Sequence, residues 1–171
     1  LCALLRNLCG PGDWTSIPLK NFGKDFMLTS LMHASVIITD ENDTGTFVDD
    51  AASLKSIITG DPFQMNRKNR DPRDVLFNGF MVQCVNEIPR VRDKSESMLR
   101  RLLVIPFKKR FQGKERKYIK DDYLHRKDVL EYVLYHVLAE TDYYELDEPA
   151  ACLELLDEFR LCLLYTSDAA D

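Results

Sequence analysis

The sequence predicts an α/β fold built on a parallel sheet, and three observations carry that prediction. Two apolar or β-branched runs, Ser35–Thr39 and Phe80–Val85, end in the polar pairs Asp40-Glu41 and Asn86-Glu87, the pattern of strands buried on both faces. Segments with apolar residues at helical spacing alternate with those runs. The connections are too long for simple hairpins, so neighbouring strands are expected to run parallel. Ligands of such sheets sit outside the carboxyl ends of the strands. With 171 residues, 45% hydrophobic and 30% charged, the chain has apolar content for one core plus an appendage, which excludes a disordered class. No apolar run approaches the roughly 20 residues that span a bilayer, so no membrane partner is expected.

Taken in order, Leu1–Leu8 has helical apolar spacing and is stopped by Gly10, Pro11 and Gly12, as the tail of a helix would be. Asp25–His33, with Phe26, Met27, Leu28, Leu31 and Met32, is expected as a short amphipathic helix. Ser35–Thr39 is the first buried strand. Asp49–Thr59 reads as a helix with acids in its first turn, closed by Gly60. Pro62–Met65 and Val75–Phe77 are short extended pieces flanking the polar, basic turn Asn66–Arg73, which together read as a hairpin with a charged tip. Phe80–Val85 is the second buried strand, Glu96–Arg101 a short helix, and Leu102–Ile105 a third apolar strand closed by Pro106. Asp128–Ala139 is a helix with apolar residues at 129, 130, 133, 134, 137 and 138.

The formal net charge of −5 hides an asymmetry. Between Gln64 and Lys117 stand 15 basic and 6 acidic residues, a local net of +9, whereas Ala139–Asp171 carries a net of −9. The basic centre points to a polyanion partner, or to a solvated surface that the acidic end neutralises on folding. Five cysteines (Cys2, Cys9, Cys84, Cys152, Cys162) are an odd number without C-x-x-C spacing and read as reduced thiols in a cytosol-like compartment. His33, His125 and His136 form no metal-ligating pattern and are read as non-catalytic.

Four features have residue types suited to chemistry. Asp40-Glu41 after an apolar strand matches the arrangement in which one carboxylate holds Mg²⁺ through water and the next polarises an attacking water; it also matches acids that simply face solvent. Asn86 is either a polar sensor of a γ-phosphate or a turn residue before Pro89. Arg100-Arg101 reads as an arginine finger or as an ion-paired helix end. The tip Arg67-Lys68-Asn69-Arg70 reads as a nucleic-acid phosphate grip or as an edge hairpin kept soluble by charge.

Their order is more specific than any one of them. Ile17–Phe107 resembles the superfamily 3 helicase domain of phage and plasmid primase-helicases, relatives of the poxvirus replication primase-helicase. The residues that carry the likeness are I-P-L-K-N-F at 17–22, V-I-I-T-D-E at 36–41, L-K-S-I-I-T-G-D-P at 54–62, R-K-N-R-D-P at 67–72, V-N-E-I-P-R-V-R-D at 85–93 and R-R-L-L-V-I-P-F at 100–107. The resemblance implies an AAA+ type parallel sheet with flanking helices and an inserted basic β-hairpin, followed by a helical C-terminal segment. It implies a ring, expected to be hexameric, that hydrolyses ATP with Mg²⁺ and translocates on single-stranded DNA in the cytoplasm of a bacterial host, with a primase domain expected in the same full-length chain. By position, Asp40 and Glu41 match the Walker B acids that hold Mg²⁺, and Asn86 matches the first sensor. Arg101 is first choice for the finger and Arg100 second, and Lys55, Arg67, Lys68 and Arg70 belong to the motif whose hairpin lines the DNA channel.

The family's phosphate loop, G-x-x-x-x-G-K-[ST], is absent from the 171 residues: Gly23-Lys24 and Gly113-Lys114 lack both the earlier glycine and the following hydroxyl. The expectation is that this loop and its strand lie just upstream of Leu1. The expected layout is a partial ATPase core over 1–110, a helical segment over 111–161 leading towards a C-terminal domain, and a non-native tail over 162–171 that resembles translated adapter sequence. A DNA-binding remnant of the same fold without ATPase activity is the alternative. An initiator or clamp-loader type of AAA+ protein fits the acids and the sensor but not a basic hairpin placed before the sensor strand.

Overall fold

The computed structural model describes residues 1–24, 26–48, 52–93, 95–114, 116–142 and 147–165, with the backbone alone for 162–165. Asp25, Asp49, Asp50 and the tail from 166 onward lie outside the described residues. Within them the chain is a mixed α/β fold with six α-helices, small parallel sheets and one antiparallel hairpin. No described helix is long and apolar enough to cross a membrane.

The centre is a three-stranded parallel sheet of β1 (Trp14–Thr15), β2 (Val36–Thr39) and β6 (Phe80–Gln83), in the order β1-β2-β6. Val36 pairs with Phe80 and Thr39 with Gln83, so the carboxyl ends of β2 and β6 lie level. Ile37 and Ile38 are wholly buried on opposite faces of β2. Ile37 joins a core with Phe22, Leu54, Ile57, Met65 and Met98. The other side is covered by α1 (Cys2–Cys9), closed by Gly10, whose φ of 86° suits a glycine and whose N–H reaches the Arg6 carbonyl at 3.1 Å.

β3 (Phe47–Val48) and β7 (Arg90–Val91) form a second parallel pair, and α2 (Ala52–Thr59) inserts Leu54 and Ile57 into the core. Next comes the hairpin of β4 (Phe63–Arg67) and β5 (Arg70–Val75). Only its base is anchored: Phe63 and Met65 are buried and Val75 packs against them, whereas 70–74 are exposed. α3 (Glu96–Leu99), α4 (Lys117–Asp121), α5 (Lys127–Glu140) and α6 (Ala150–Tyr165) follow. α6 turns back onto the core through Phe159 and Leu156, and Arg160 pairs with Glu96 at 3.2 Å.

Three expectations change. The segment expected as a helix over 25–33 is a 3₁₀ turn over Thr29–His33 in its described part, preceded by Phe26 at φ 67°. Its buried pair, Leu28 and Leu31, has the three-residue spacing that a 3₁₀ turn satisfies, while Phe26, Met27 and Met32 stay exposed. The basic stretch 66–73 is mostly strand rather than turn. Asn69 adopts a left-handed φ of 55°, a conformation asparagine tolerates, so two residues suffice to reverse the chain. Finally, 102–105 forms no strand. β6 is an edge of its sheet, no described segment pairs with its open side, and Leu103, Ile105 and Phe107 are left exposed.

Gly79 sits where β6 begins beside β2. A Cβ there would lie 2.3 Å from the Ser35 carbonyl oxygen and 2.3 Å from the Phe77 ring, and that same carbonyl accepts the Phe80 N–H at 3.2 Å. Gly79→Ala is therefore expected to cost about 2 kcal/mol or more by forcing β6 away from β2. Urea unfolding measures this, and a loss below about 0.5 kcal/mol would refute the close approach.

Candidate functional site

The carboxyl ends of β2 and β6 are held together by two side-chain amides, the buried Asn42 and the half-buried Gln83. Asn42 is 7% exposed; its Oδ1 accepts the Leu19 N–H at 2.9 Å, and its Nδ2 donates to the Cys84 carbonyl at 3.0 Å and to Gln83 Oε1 at 3.1 Å. Gln83 Nε2 donates to the Ile17 carbonyl at 3.1 Å, which also accepts the Thr39 hydroxyl at 3.0 Å. The Cys84 N–H carries the ladder one step beyond β6 to the Thr39 carbonyl at 2.8 Å. Residues 17–19, the start of the loop after β2 and the end of β6 are thereby locked to one another.

On this frame Asp40 projects from the end of β2 with its side chain half exposed. Arg6, one turn after Cys2 on α1, donates to Asp40 Oδ2 at 3.3 Å while its guanidinium lies 4.9 Å from the centre of the Trp14 ring. Cys2 is buried, and its sulfur is 3.3 Å from that of Cys84. Burial, followed by hydrogen bonding with Cys84 and Asp40, pushes the Cys2 thiol far above its ordinary range, so it is protonated at neutral pH. A cleft of about 730 Å³ opens here, lined by Leu1, Cys2 and Asp40 on one side and by Lys114, Arg116 and Lys120 on another. A carboxylate and three cations lining a cleft of that size suit a phosphorylated ligand. Sequence reading registered Arg116 only as charge, weighed Lys114 beyond its charge only as part of a rejected Gly-Lys pair and missed Lys120, because nothing local ties these residues to Asp40.

The remaining candidates are dispersed. Glu41 and Asn86 are exposed and make no hydrogen bond or ion pair among the described residues. Arg101 bonds back into its own helix, donating to the Ser97 carbonyl and, at 2.7 Å, to the Ser97 hydroxyl; Arg100 is exposed. Lys55 is not at the hairpin tip but on α2, ion-paired with Asp93. At the tip, Arg67 donates to the Asp71 carbonyl at 3.1 Å, and it faces Arg70 directly across the strands. Among the described residues no acid pairs with Lys68 or Arg70.

Two outcomes are expected from this geometry. Asn42→Ala leaves a buried amide and a carbonyl without partners and is expected to lower unfolding stability by about 2–3 kcal/mol, read by urea denaturation. For Asp93, the hydrogen bond from Lys55, reinforced by Ser95, lowers the carboxyl from 3.8 to about 2. A depressed folded-state value stabilises above the ordinary carboxylate range, and that stability is lost as pH falls through the lowered value. The melting-temperature gap between the wild type and Asp93→Asn should therefore be full near neutrality and close between about pH 4 and pH 2; a gap that does not vary with pH would exclude this ion pair.

No curated protein matches the sequence. A family model described as "Family of unknown function (DUF5906)" matches residues 3–101, which hold α1 after its first residue, the three-stranded sheet, the hairpin and the Arg100-Arg101 pair. The chain belongs to that family.

Proposed function

We propose that this chain is the motor core of an ATP-dependent DNA helicase of the superfamily 3, AAA+ type, acting in DNA replication as part of a phage or plasmid primase-helicase. The observation that carries the reading is one of arrangement. A strand-end acid, Asp40, lies level with the end of the parallel neighbour β6, and between the two strands in sequence stands a hairpin whose basic distal half projects into solvent. Arg67 and Arg70 directly opposite one another cost stability in an isolated hairpin. A polyanion lying along the tip offsets that repulsion. The open edge of β6 and the exposed Leu103, Ile105 and Phe107 are what a further strand of the sheet would cover.

The residues present fit Mg²⁺ and the phosphates of ATP. Asp40, with Glu41, would hold the ion mostly through water, and bound Mg²⁺ neutralises phosphate charge. Lys114, Arg116 and Lys120 face the same cleft and would hold phosphate oxygens. Arg100, exposed and without a partner among the described residues, is better presented than Arg101 to reach a neighbouring subunit of the ring. A DNA-binding remnant without ATPase activity is the second reading. It is favoured by Arg6 occupying Asp40.

Salt-dependent binding of a fluorescent single-stranded oligonucleotide tests the DNA part. Lys68→Ala and Arg70→Ala should each weaken binding irrespective of sequence and reduce the log–log salt slope by about 0.7. Unchanged affinity and slope would assign the tip to keeping the hairpin soluble. The 171-residue chain alone is expected not to turn over ATP. In the full-length protein Asp40→Asn should abolish turnover and leave DNA affinity intact; turnover that survives it removes the motor reading and leaves the remnant.

A further inference from the structure

Cys2, Asp40 and Cys84 reach one another from the first turn of α1, the end of β2 and the end of β6. Their ligand atoms all lie within 4.8 Å of each other, and the two sulfurs are 3.3 Å apart. We propose that these three side chains form a binding site for a thiophilic divalent cation of the zinc and cadmium class. The inference uses the cluster alone and does not rest on the motor reading.

Donor chemistry selects the class. Two sulfurs disfavour Mg²⁺ and Ca²⁺, which take oxygen, and favour zinc-like ions. The spacing fits as well. Metal–sulfur distances of about 2.3 Å in a tetrahedral site put two sulfurs roughly 3.8 Å apart, so the pair has to open by only about half an ångström. Three protein ligands leave the fourth position open, and Asp40 lies on the wall of the solvent-filled cleft.

The supports around the ligands are already made. Asn42 holds the Cys84 carbonyl at 3.0 Å, the Cys84 N–H is bonded to the Thr39 carbonyl, and Arg6 orients the Asp40 carboxylate. Such outer contacts fix ligand direction in metal sites. Cys2 is the first residue of α1, so its sulfur is carried on a regular element that packs against β2. Near the cluster are the cations Arg6, Lys114, Arg116 and Lys120, and two thiolates with a carboxylate around a divalent ion leave a net negative site that those cations favour. Each thiol gives its proton to solvent as its sulfur takes the ion, and nothing is oxidised or reduced.

The test titrates the 171-residue chain, kept in a phosphine reductant, with Co²⁺ as optical probe and Zn²⁺ as competitor. One equivalent of Co²⁺ should give thiolate charge-transfer and tetrahedral d–d bands, and one equivalent of Zn²⁺ should remove them. The bands should vanish in Cys2→Ser and Cys84→Ser and persist in Cys9→Ser and Cys152→Ser. Asp40→Asn should weaken binding at least tenfold. Cys84→Ser, at a half-buried position, keeps the test valid if Cys2→Ser fails to fold, and the unfolding transition of each variant identifies that case. Absent bands in the folded wild type, bands that survive Cys84→Ser, or a Cys2–Cys84 disulfide that persists under the reductant would overturn the site. Unaltered affinity in Asp40→Asn would remove the carboxylate and overturn the three-ligand assignment.

Discussion

One buried side-chain amide holds the candidate site in shape. Asn42 spends both ends of its carboxamide on backbone and side-chain groups from two separate parts of the chain, Leu19 on one side and Gln83 and Cys84 on the other. The Leu19 N–H is buried and the Gln83 and Cys84 groups are partly so, and a buried one left alone would cost about 1–3 kcal/mol. Their mutual satisfaction is what lets the loop after β2 leave the sheet without fraying it. The level ends of β2 and β6, the position of Asp40 and the approach of Cys84 all follow from that lock. A hydrophobic residue at 42 could fill the space but could not fix the direction in which the two strand ends face.

The charged parts of the molecule follow a different logic. Where a charge has structural work it is paired, partly sheltered as Lys55 is with Asp93, or in the open as Arg160 is with Glu96. On the distal hairpin the opposite holds, with like charges placed across from each other and Pro72 inside a strand that, among the described residues, has no neighbour on its outer side. Such a strand gains little from its own ladder and depends on Phe63, Met65 and Val75 at the base. The hairpin is thus divided between a base anchored in the core and an exposed, like-charged distal half that stands clear of it.

What was legible in the sequence had local causes. The β-branched run at 35–39, the apolar run at 80–85, the helix at 128–139 and the hairpin near 66–73 all announce themselves through neighbours in the chain, and each appears within a few residues of its expected bounds. The two-residue strands at 14–15, 47–48 and 90–91 do not, because they exist only through pairing with distant partners. Leu102–Ile105 failed for the converse reason: its composition is that of a strand, but a ladder needs a neighbour. The strand-end acid at Asp40 could be read from spacing. The role of Asn42, the cations at 114, 116 and 120, and the meeting of Cys2 with Cys84 across 82 positions could not, since each depends on where the chain returns.

Asp40 is therefore asked to do more than its sequence position implies. Cys2 and Arg6 are four residues apart on one face of α1, and both turn towards it, one offering a thiol and the other a guanidinium. The ion pair with Arg6 is half exposed and so weak, about 1 kcal/mol or less, which leaves the carboxylate free to exchange partners. Arg6 has an alternative in the face of Trp14 and needs no acid to stay in place. A cation arriving at the strand ends thus meets a carboxylate that can be released cheaply, beside two sulfurs that a hard ion ignores and a soft ion seeks. An ion held between Asp40 and both sulfurs would be selected by the sulfurs, whereas one held by Asp40 and Glu41 alone through water would be selected by oxygen chemistry.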